Sequence, residues 1–435
     1  MRPARPNRRF QAALAVDMFL GPVLCTLLVA LRPLLRRNAR ANDASDPVRK
    51  ILIVKMWGLG SLVLASPLFE QIQARHPGAR IHFVTLKENQ AILDLYPQIE
   101  RRWLPDLGAG IAGFLLQTLA ILRRIRRERY DLLLDLEFFT RFTAIFSLLA
   151  GARRTHGYHA KGSGRGQLHD VRVPFNVYKH VTANFLALLR GPPLEEVLPF
   201  DPEAPDNLPR LSLPEKPWER CHELLAADPA WQEGRPTVVM NPNAGDMALE
   251  RRWPMEQVVT LVDALAERGD LNLVLSGSAS ERSYVGSLVA RLAHPARVVN
   301  LAGQVGLHEF IALLQHARVL VTNDSGPLHL AAAAGASTVA LFGPETPTLY
   351  RPLRSRPEQR HRVHYLGLPC SPCMFVHDNK VIDCWFAKAR CMSGIQPQAV
   401  YADVLRQLEP GVGERESGGG GRKPPTASPL RIVDR

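Results

Sequence analysis

Cysteine is scarce. Six occur among 435 residues, too few and too scattered for a disulfide-stapled scaffold. Cys25 and Cys221 stand alone, while the rest cluster as Cys370-x2-Cys373-x10-Cys384-x6-Cys391. An acidic excess is also lacking, since 54 Lys and Arg outnumber 41 Asp and Glu to give a net charge of +13. That surplus is local: residues 1–50 carry ten basic and three acidic residues, which leaves an excess of only six for the other 385. The body therefore lacks the uniformly basic surface that marks nucleic-acid binding, and no nucleic acid is expected as a partner. Hydrophobic residues make up 46% of the chain, which excludes a disordered polymer, and the length suits two domains rather than one.

The basic surplus flanks an apolar run over residues 12–31, with Arg2, Arg5, Arg8 and Arg9 before it and Arg32, Arg36, Arg37 and Arg40 after it. About 20 residues is near the minimum for a membrane span, but Asp17, Gly21 and Pro22 interrupt the run. No small-residue cleavage site follows it; Arg32-Pro33-Leu34-Leu35-Arg36-Arg37 comes instead, unlike a cleaved signal peptide. The pattern predicts an uncleaved helix lying in the cytoplasmic leaflet with its arginines on lipid headgroups. A true span and a helix packed on the protein itself are the alternatives.

After a polar break, strand and helix alternate. Residues 50–55, 80–86 and 131–136 read as buried strands, with a strongly helical stretch at 111–129. A dense proline run over 192–217 then marks a linker. The same grammar restarts with strands at 237–241, 272–276, 297–300, 319–322 and 338–342, separated by helices at 255–268, 281–292, 307–316 and 327–334. Strands joined by helices of this length imply parallel sheets. The expected organisation is a membrane-associating segment (1–47), an N-terminal Rossmann-like domain (48–205), a linker (206–235) and a C-terminal Rossmann-like domain (236–395). A helix (396–410) and a disordered Gly/Pro/Ser-rich tail (411–435) complete it.

The strongest chemical signal is Asn323-Asp324-Ser325-Gly326-Pro327-Leu328-His329. A buried strand ends, Asp324 or Ser325 caps the next helix, and Pro327 suits its first turn. Free N–H groups at that helix start, with Gly326 permitting close approach, make a diphosphate site, and Asp324 can accept from sugar hydroxyls. An ordinary capped helix is the plain alternative. Two more strand ends in this half carry suitable residues: Asn243 with Arg251-Arg252-Trp253-Pro254, and Gly277 with Glu281. Arginine suits phosphate because its planar fork donates bidentately. Trp253 can stack on a base or simply anchor a helix start, and Glu281 can hold ribose hydroxyls or serve the helix dipole. Ligands in such folds sit at the carboxyl ends of parallel strands.

These motifs, with Lys55…Leu59-Gly60, Leu301-Ala302-Gly303 and Phe342-Gly343-Pro344, make the chain resemble glycosyltransferase family 9, the ADP-heptose:lipopolysaccharide heptosyltransferases, over roughly residues 48–408. The resemblance implies a GT-B fold, two Rossmann-like domains facing a cleft. It implies inverting transfer from a nucleotide-sugar donor, usually ADP-heptose, to a glycolipid acceptor on the cytoplasmic face of the inner membrane. It implies donor phosphate contacts at Arg251 and the Ser325 and Gly326 backbone, ribose contact at Glu281 and sugar contact at Asp324; Asn243, Arg252, Gly277 and His329 are further donor-binding candidates. It also implies a C-terminal helix, near 397–408, returning to the N-terminal domain. No Asp-x-Asp triplet occurs, so no cofactor is expected for catalysis, arginine and a helix end taking the place of a cation.

One departure matters. Where the family carries an aspartate after Leu-Gly as general base, this chain has Ser61, and a free serine is a poor base near neutral pH. Strand alternation over Asp135-Leu136-Glu137 nominates Glu137 as the substitute. Acceptor contacts are expected from Lys55, Gly60 and the cationic loop at 157–166, with Lys161 and Arg165. Cys370-x2-Cys373 has zinc-ligand spacing, so Cys370, Cys373, Cys384 and Cys391 are candidates for a structural zinc, against reduced cysteines packed in a loop. A dinucleotide oxidoreductase is disfavoured because Gly58-Leu59-Gly60 lacks the third glycine. A nucleotide-sugar hydrolase or epimerase and a non-catalytic family member stay open.

Overall fold

The computed structural model describes residues 8–36, 47–159, 164–190, 207–211, 213–245, 248–374, 382 and 384–409, with side chains from residue 15 in the first stretch. The tail at 411–435, Lys161 and most of the proline run lie outside the described residues.

Two parallel sheets organise the chain. The first holds β1 (Lys50–Val54), β2 (Arg80–Val84), β3 (Ile99–Trp103), β4 (Leu132–Asp135), β5 (Arg154–His159) and β6 (Val171–Pro174) in the order β3-β2-β1-β4-β5-β6. The second holds β7 (Thr237–Asn241), β8 (Asn272–Leu275), β9 (Val298–Asn300), β10 (Val319–Asn323), β11 (Ser337–Phe342) and β12 (His361–Tyr365) in the order β12-β11-β10-β7-β8-β9. Counted from each domain's first strand these orders are the same doubly wound topology, with reversals between β1 and β4 and between β7 and β10. The two-domain α/β expectation holds.

Central strands are apolar on both faces because helices cover both. Ile51 and Ile53 enter one core, and Leu52 and Val54 the other, the continuous pattern of a buried parallel strand. Val54 lies level with Val84 on one side and Asp135 on the other, so the loops leaving β1, β2 and β4 start at one height. Four strands escaped the sequence pattern: β3, β5, β6 and β12. β3, β5 and β12 are polar, as in Ile-Glu-Arg-Arg-Trp and His-Arg-Val-His-Tyr, and β6, Val-Arg-Val-Pro, is only four residues long. Three of them are edge strands with one neighbour each.

The C-terminal helix Pro397–Leu408 corrects another expectation. Instead of returning to the N-terminal domain, it lies on the C-terminal sheet, where Val400 and Val404 pack with Val258 and Leu261 of the helix Met255–Arg268. An i, i+4 pair of buried valines makes one apolar stripe, and the core that needed it was the nearer one.

The N-terminal segment forms a helix, Arg8–Leu35. One stripe of it docks on the N-terminal domain. Asp17 accepts from the backbone N–H of Arg141 and Phe142 at 2.8 and 2.7 Å, capping the helix Phe142–Ala150. Gly21 lies against Arg141, Cys25 packs on Ala144 and Leu148, and Arg32 and Arg36 hold Asp170 at 2.7 and 2.6 Å.

Candidate functional site

At a topological switch point, neighbouring strands send their following helices to opposite faces, which opens a crevice at the carboxyl ends. The two crevices here face each other across a cavity of about 690 Å³, within the size range of small-molecule sites. The N-terminal wall comes from Lys55 and residues 57–61 after β1, Glu88 and Asn89 after β2, and Phe138 and Phe139 after β4. The C-terminal wall comes from residues 243–245 after β7, Gly277 and Glu281 after β8, and residues 324–327 with His329 after β10.

The C-terminal wall is built around the helix Gly326–Ala334. Its N-cap, Ser325, provides no side-chain cap; its hydroxyl donates to the Asn323 carbonyl at 3.2 Å instead. Pro327 has no N–H and the Leu328 N–H donates to the Ser325 carbonyl at 3.1 Å, so the Gly326 N–H and the positive dipole end are what this helix start offers the cavity, with Asp324 beside them. Arg251 braces this corner. Its Nη1 donates to the Asp324 carbonyl at 2.7 Å and lies 3.4 Å from the Asp324 carboxylate, while Nη2 donates to the Ala244 carbonyl at 2.7 Å. Three polar atoms of lining residues are buried with no protein partner: Asn243 Oδ1, Arg251 Nε and His329 Nδ1. Such groups are rare in native interiors and mark places where a ligand completes the bonding. Burial pushes the His329 imidazole down to about 3, with the charges of His180 and His361 adding to the effect, so the ring is neutral near pH 7.

Glycine lets the two walls meet. A Cβ on Gly60 would lie 2.6 Å from His329 Cδ2, and one on Gly326 would lie 3.3 Å from Leu59 Cδ2. The helix starts of the two domains thus touch backbone to backbone beside the cavity. Gly60 serves this contact, and any acceptor it meets comes second. Gly277 similarly makes room for Asn243, whose Nδ2 a Cβ there would approach to 2.9 Å.

Several expected site residues are placed differently. Glu137 is fully buried and its carboxylate faces Lys55, whose Nζ lies 3.0 and 3.1 Å from its two oxygens. It does not line the cavity among the described residues. β4 ends at Asp135, so strand alternation does not extend to Glu137; the chain turns there, and the Glu137 N–H donates to the Asp135 carboxylate at 3.1 Å. Lys55 reaches the cavity wall but is occupied, donating to the Trp57 carbonyl at 2.7 Å as well. Arg165 is no acceptor contact: it is 2% exposed and its Nη2 holds Asp135 at 2.9 Å, with His169 Nε2 on the same oxygen at 3.2 Å. Arg252 also lies off the cavity, its guanidinium 3.9 Å from the Tyr284 ring centroid. Trp253 is a core residue, fully buried with its indole N–H on the Ile395 carbonyl at 3.1 Å.

Glu281 plays its plain role. Its carboxylate accepts from the Ser278 N–H and hydroxyl, each at 2.8 Å, in a capping box, although it also lines the cavity. Ser61 sits on the N-terminal wall in the first turn of the helix Leu59–Leu64. Cys370, Cys373, Cys384 and Cys391 do not make the zinc site that their spacing suggested: among the described residues no group of three or more His, Cys, Asp or Glu is placed to hold a metal ion. Cys391 is buried in the core against Gly343.

Sequence reasoning missed Glu88. It follows β2 as the other site residues follow their strands, so the strand-end rule was the available signal. It lines the cavity and is an exposed residue. Partial burial, then the charge of Asp106, raises its pKa above the ordinary carboxylate range.

A family model, glycosyltransferase family 9 (heptosyltransferase), matches residues 118–379. The chain belongs to this family. The chain is 28% identical over 311 residues to lipooligosaccharide heptosyltransferase 2 of Haemophilus ducreyi, covering 70% of this chain and 86% of that protein. It is likewise 28% identical over 316 residues to lipopolysaccharide heptosyltransferase 2 of Escherichia coli K12, covering 70% and 85%. The solved structure of E. coli ADP-heptose lps heptosyltransferase II superposes with a TM-score of 0.65 at 22% identity, covering 83% of this chain and 98% of that one. The fold is therefore the GT-B arrangement of this family, and the protein is a glycosyltransferase.

Proposed function

We propose that this family 9 enzyme transfers heptose from ADP-heptose, with inversion, to a sugar hydroxyl of a lipopolysaccharide core or related glycolipid. Its place is then the cytoplasmic face of the inner membrane. One observation carries this: the uncapped start of the helix Gly326–Ala334, braced by Arg251, borders a cavity shared by both domains. The names of the similar heptosyltransferases support the choice of sugar and acceptor.

The donor lies along the C-terminal wall. Its diphosphate meets the helix start and Arg251, where the developing negative charge of the leaving ADP is stabilised without a bound cation. Asp324 and the neutral His329 contact the sugar. Ribose hydroxyls reach Glu281, and Asn243 Oδ1 accepts from the donor. The acceptor enters against Trp57, Phe138 and Phe139, aromatic faces suited to a sugar ring. Its hydroxyl oxygen bonds to the anomeric carbon as the carbon–oxygen bond to the diphosphate breaks, and the hydroxyl proton passes to Glu88. A cavity-lining carboxylate with a raised pKa is suited to that step, in the position of function that Ser61 cannot fill.

A thermal-shift panel of nucleotide sugars followed by product analysis tests the proposal. ADP-heptose should raise the melting temperature more than UDP or GDP sugars do, and transfer to a heptose-deficient core glycolipid should proceed in EDTA. No shift with any ADP sugar, or ADP-heptose cleaved to free heptose in the presence of acceptor, would overturn it.

A further inference from the structure

The docked N-terminal helix leaves most of its apolar surface uncovered. Phe19 is 78% exposed, Val23 66% and Leu34 65%, and only 11% of the apolar window Ala15–Leu35 is buried. A second helix, Gly110–Glu128, behaves the same way: Ile111, Leu115, Leu116 and Leu119 are all exposed. Soluble surfaces rarely expose patches of this size without a partner. Both helices are long and apolar enough to cross a membrane by length and composition, yet both are tied to the domain.

The two helices share a neighbour. Phe114 packs against Phe142 at 5.4 Å between ring centroids with the rings tilted by 41°, and Cys25 packs on Ala144 and Leu148. Both helices therefore pack on the helix Phe142–Ala150, and exposed apolar residues from two distant parts of the chain lie beside it.

We infer that this area is a membrane platform: the outer faces of Arg8–Leu35 and Gly110–Glu128 seat together in the interfacial layer of an anionic phospholipid bilayer, and neither helix crosses it. Two features select this occupant. The outer face of Gly110–Glu128 passes from Leu115, Leu116 and Leu119 to the exposed Arg123, Arg124, Arg126 and Arg127, which complement anionic headgroups. The anchoring stripe also forbids a span. To cross, the first helix would abandon the bonds of Asp17 to Arg141 and Phe142 and of Arg32 and Arg36 to Asp170. It would carry Asp17 into hydrocarbon and leave Asp170 without its arginines.

The platform rests on the proposed function in one respect, that a glycolipid acceptor places a bilayer within reach; its test does not involve sugar transfer. Full-length protein is floated with vesicles of phosphatidylglycerol and phosphatidylethanolamine, and with phosphatidylcholine alone. Wild type should float with the anionic vesicles and be released by alkaline carbonate. Combined Leu115→Glu, Leu116→Glu and Leu119→Glu should cut partition by about ten-fold or more, and Arg123→Glu with Arg124→Glu should weaken it in a salt-dependent way. These positions are exposed, so melting temperature and the shift given by ADP-heptose should stay at wild-type values. Flotation of the leucine variant at the wild-type level, or resistance to carbonate, would overturn the platform in favour of an N-terminal span. A dimer that loses vesicle binding and dissociates in the leucine variant would assign the surface to a second copy instead.

Discussion

The two walls of the cavity spend their polar groups differently. On the N-terminal side, charges are buried and paired: Lys55 with Glu137, and Asp135 with Arg165 and His169. On the C-terminal side, Arg251 and Asp324 are also paired, but Asn243 Oδ1, Arg251 Nε, His329 Nδ1 and a helix start keep bonding capacity. Arg165 Nε and Nη1 and His169 Nδ1 are also buried without a partner, but those residues lie behind the wall, whereas Asn243, Arg251 and His329 line the cavity. Under the proposed function the C-terminal wall takes the donor, the N-terminal wall the acceptor, and Glu88 the proton.

The largest effect expected is on Glu88. Glu88→Gln should lower kcat by about 10²–10⁴-fold with little change in melting temperature, as for loss of a general base. Because its pKa is raised, wild-type kcat should climb with pH as the carboxylate deprotonates, along a limb centred above the ordinary carboxylate value, and the variant should lose that limb. A normal limb in Glu88→Gln would return the base to another group.

Lys55→Met should cost about 3–5 kcal/mol of stability in a urea melt, because it takes away the counter-ion of the buried Glu137. If the melt is unchanged, the N-terminal pair is not the structural brace described here. Arg251→Ala should reduce kcat/KM by about 10²-fold, with donor binding weakened. Asp324 would lose its partner, so the melt separates structural from catalytic loss. The smallest effect belongs to Arg252→Ala: up to about 1 kcal/mol of stability from the lost stacking on Tyr284, with donor KM unaltered. A rise in that KM would put Arg252 back in the site.

The C-terminal half was the more legible one. The strand Thr237–Asn241 and the helices Met255–Arg268 and Leu307–His316 appear where the apolar period placed them. Its helix start at Ser325 was equally visible, since Gly and Pro punctuate the chain there. In the N-terminal half β3 and β5 are too polar and β6 too short to announce themselves, and the pattern that located β4 gave no warning that the strand stops at Asp135. That one boundary turned Glu137 from an expected base into a buried counter-ion. The cysteine spacing misled in a similar way: spacing along a chain allows a metal site but does not build one, and the described residues form none.

The order of strands and helices, the glycines at the helix starts and the basic, apolar N-terminus were written in the sequence, because periodicity and backbone freedom are local properties. Which carboxylate faces the cavity, which arginine is consumed by a buried partner, and which neighbour two distant apolar helices share were decided by the tertiary structure. Those depend on what each side chain finds opposite it, and only the folded chain brings the partners within reach.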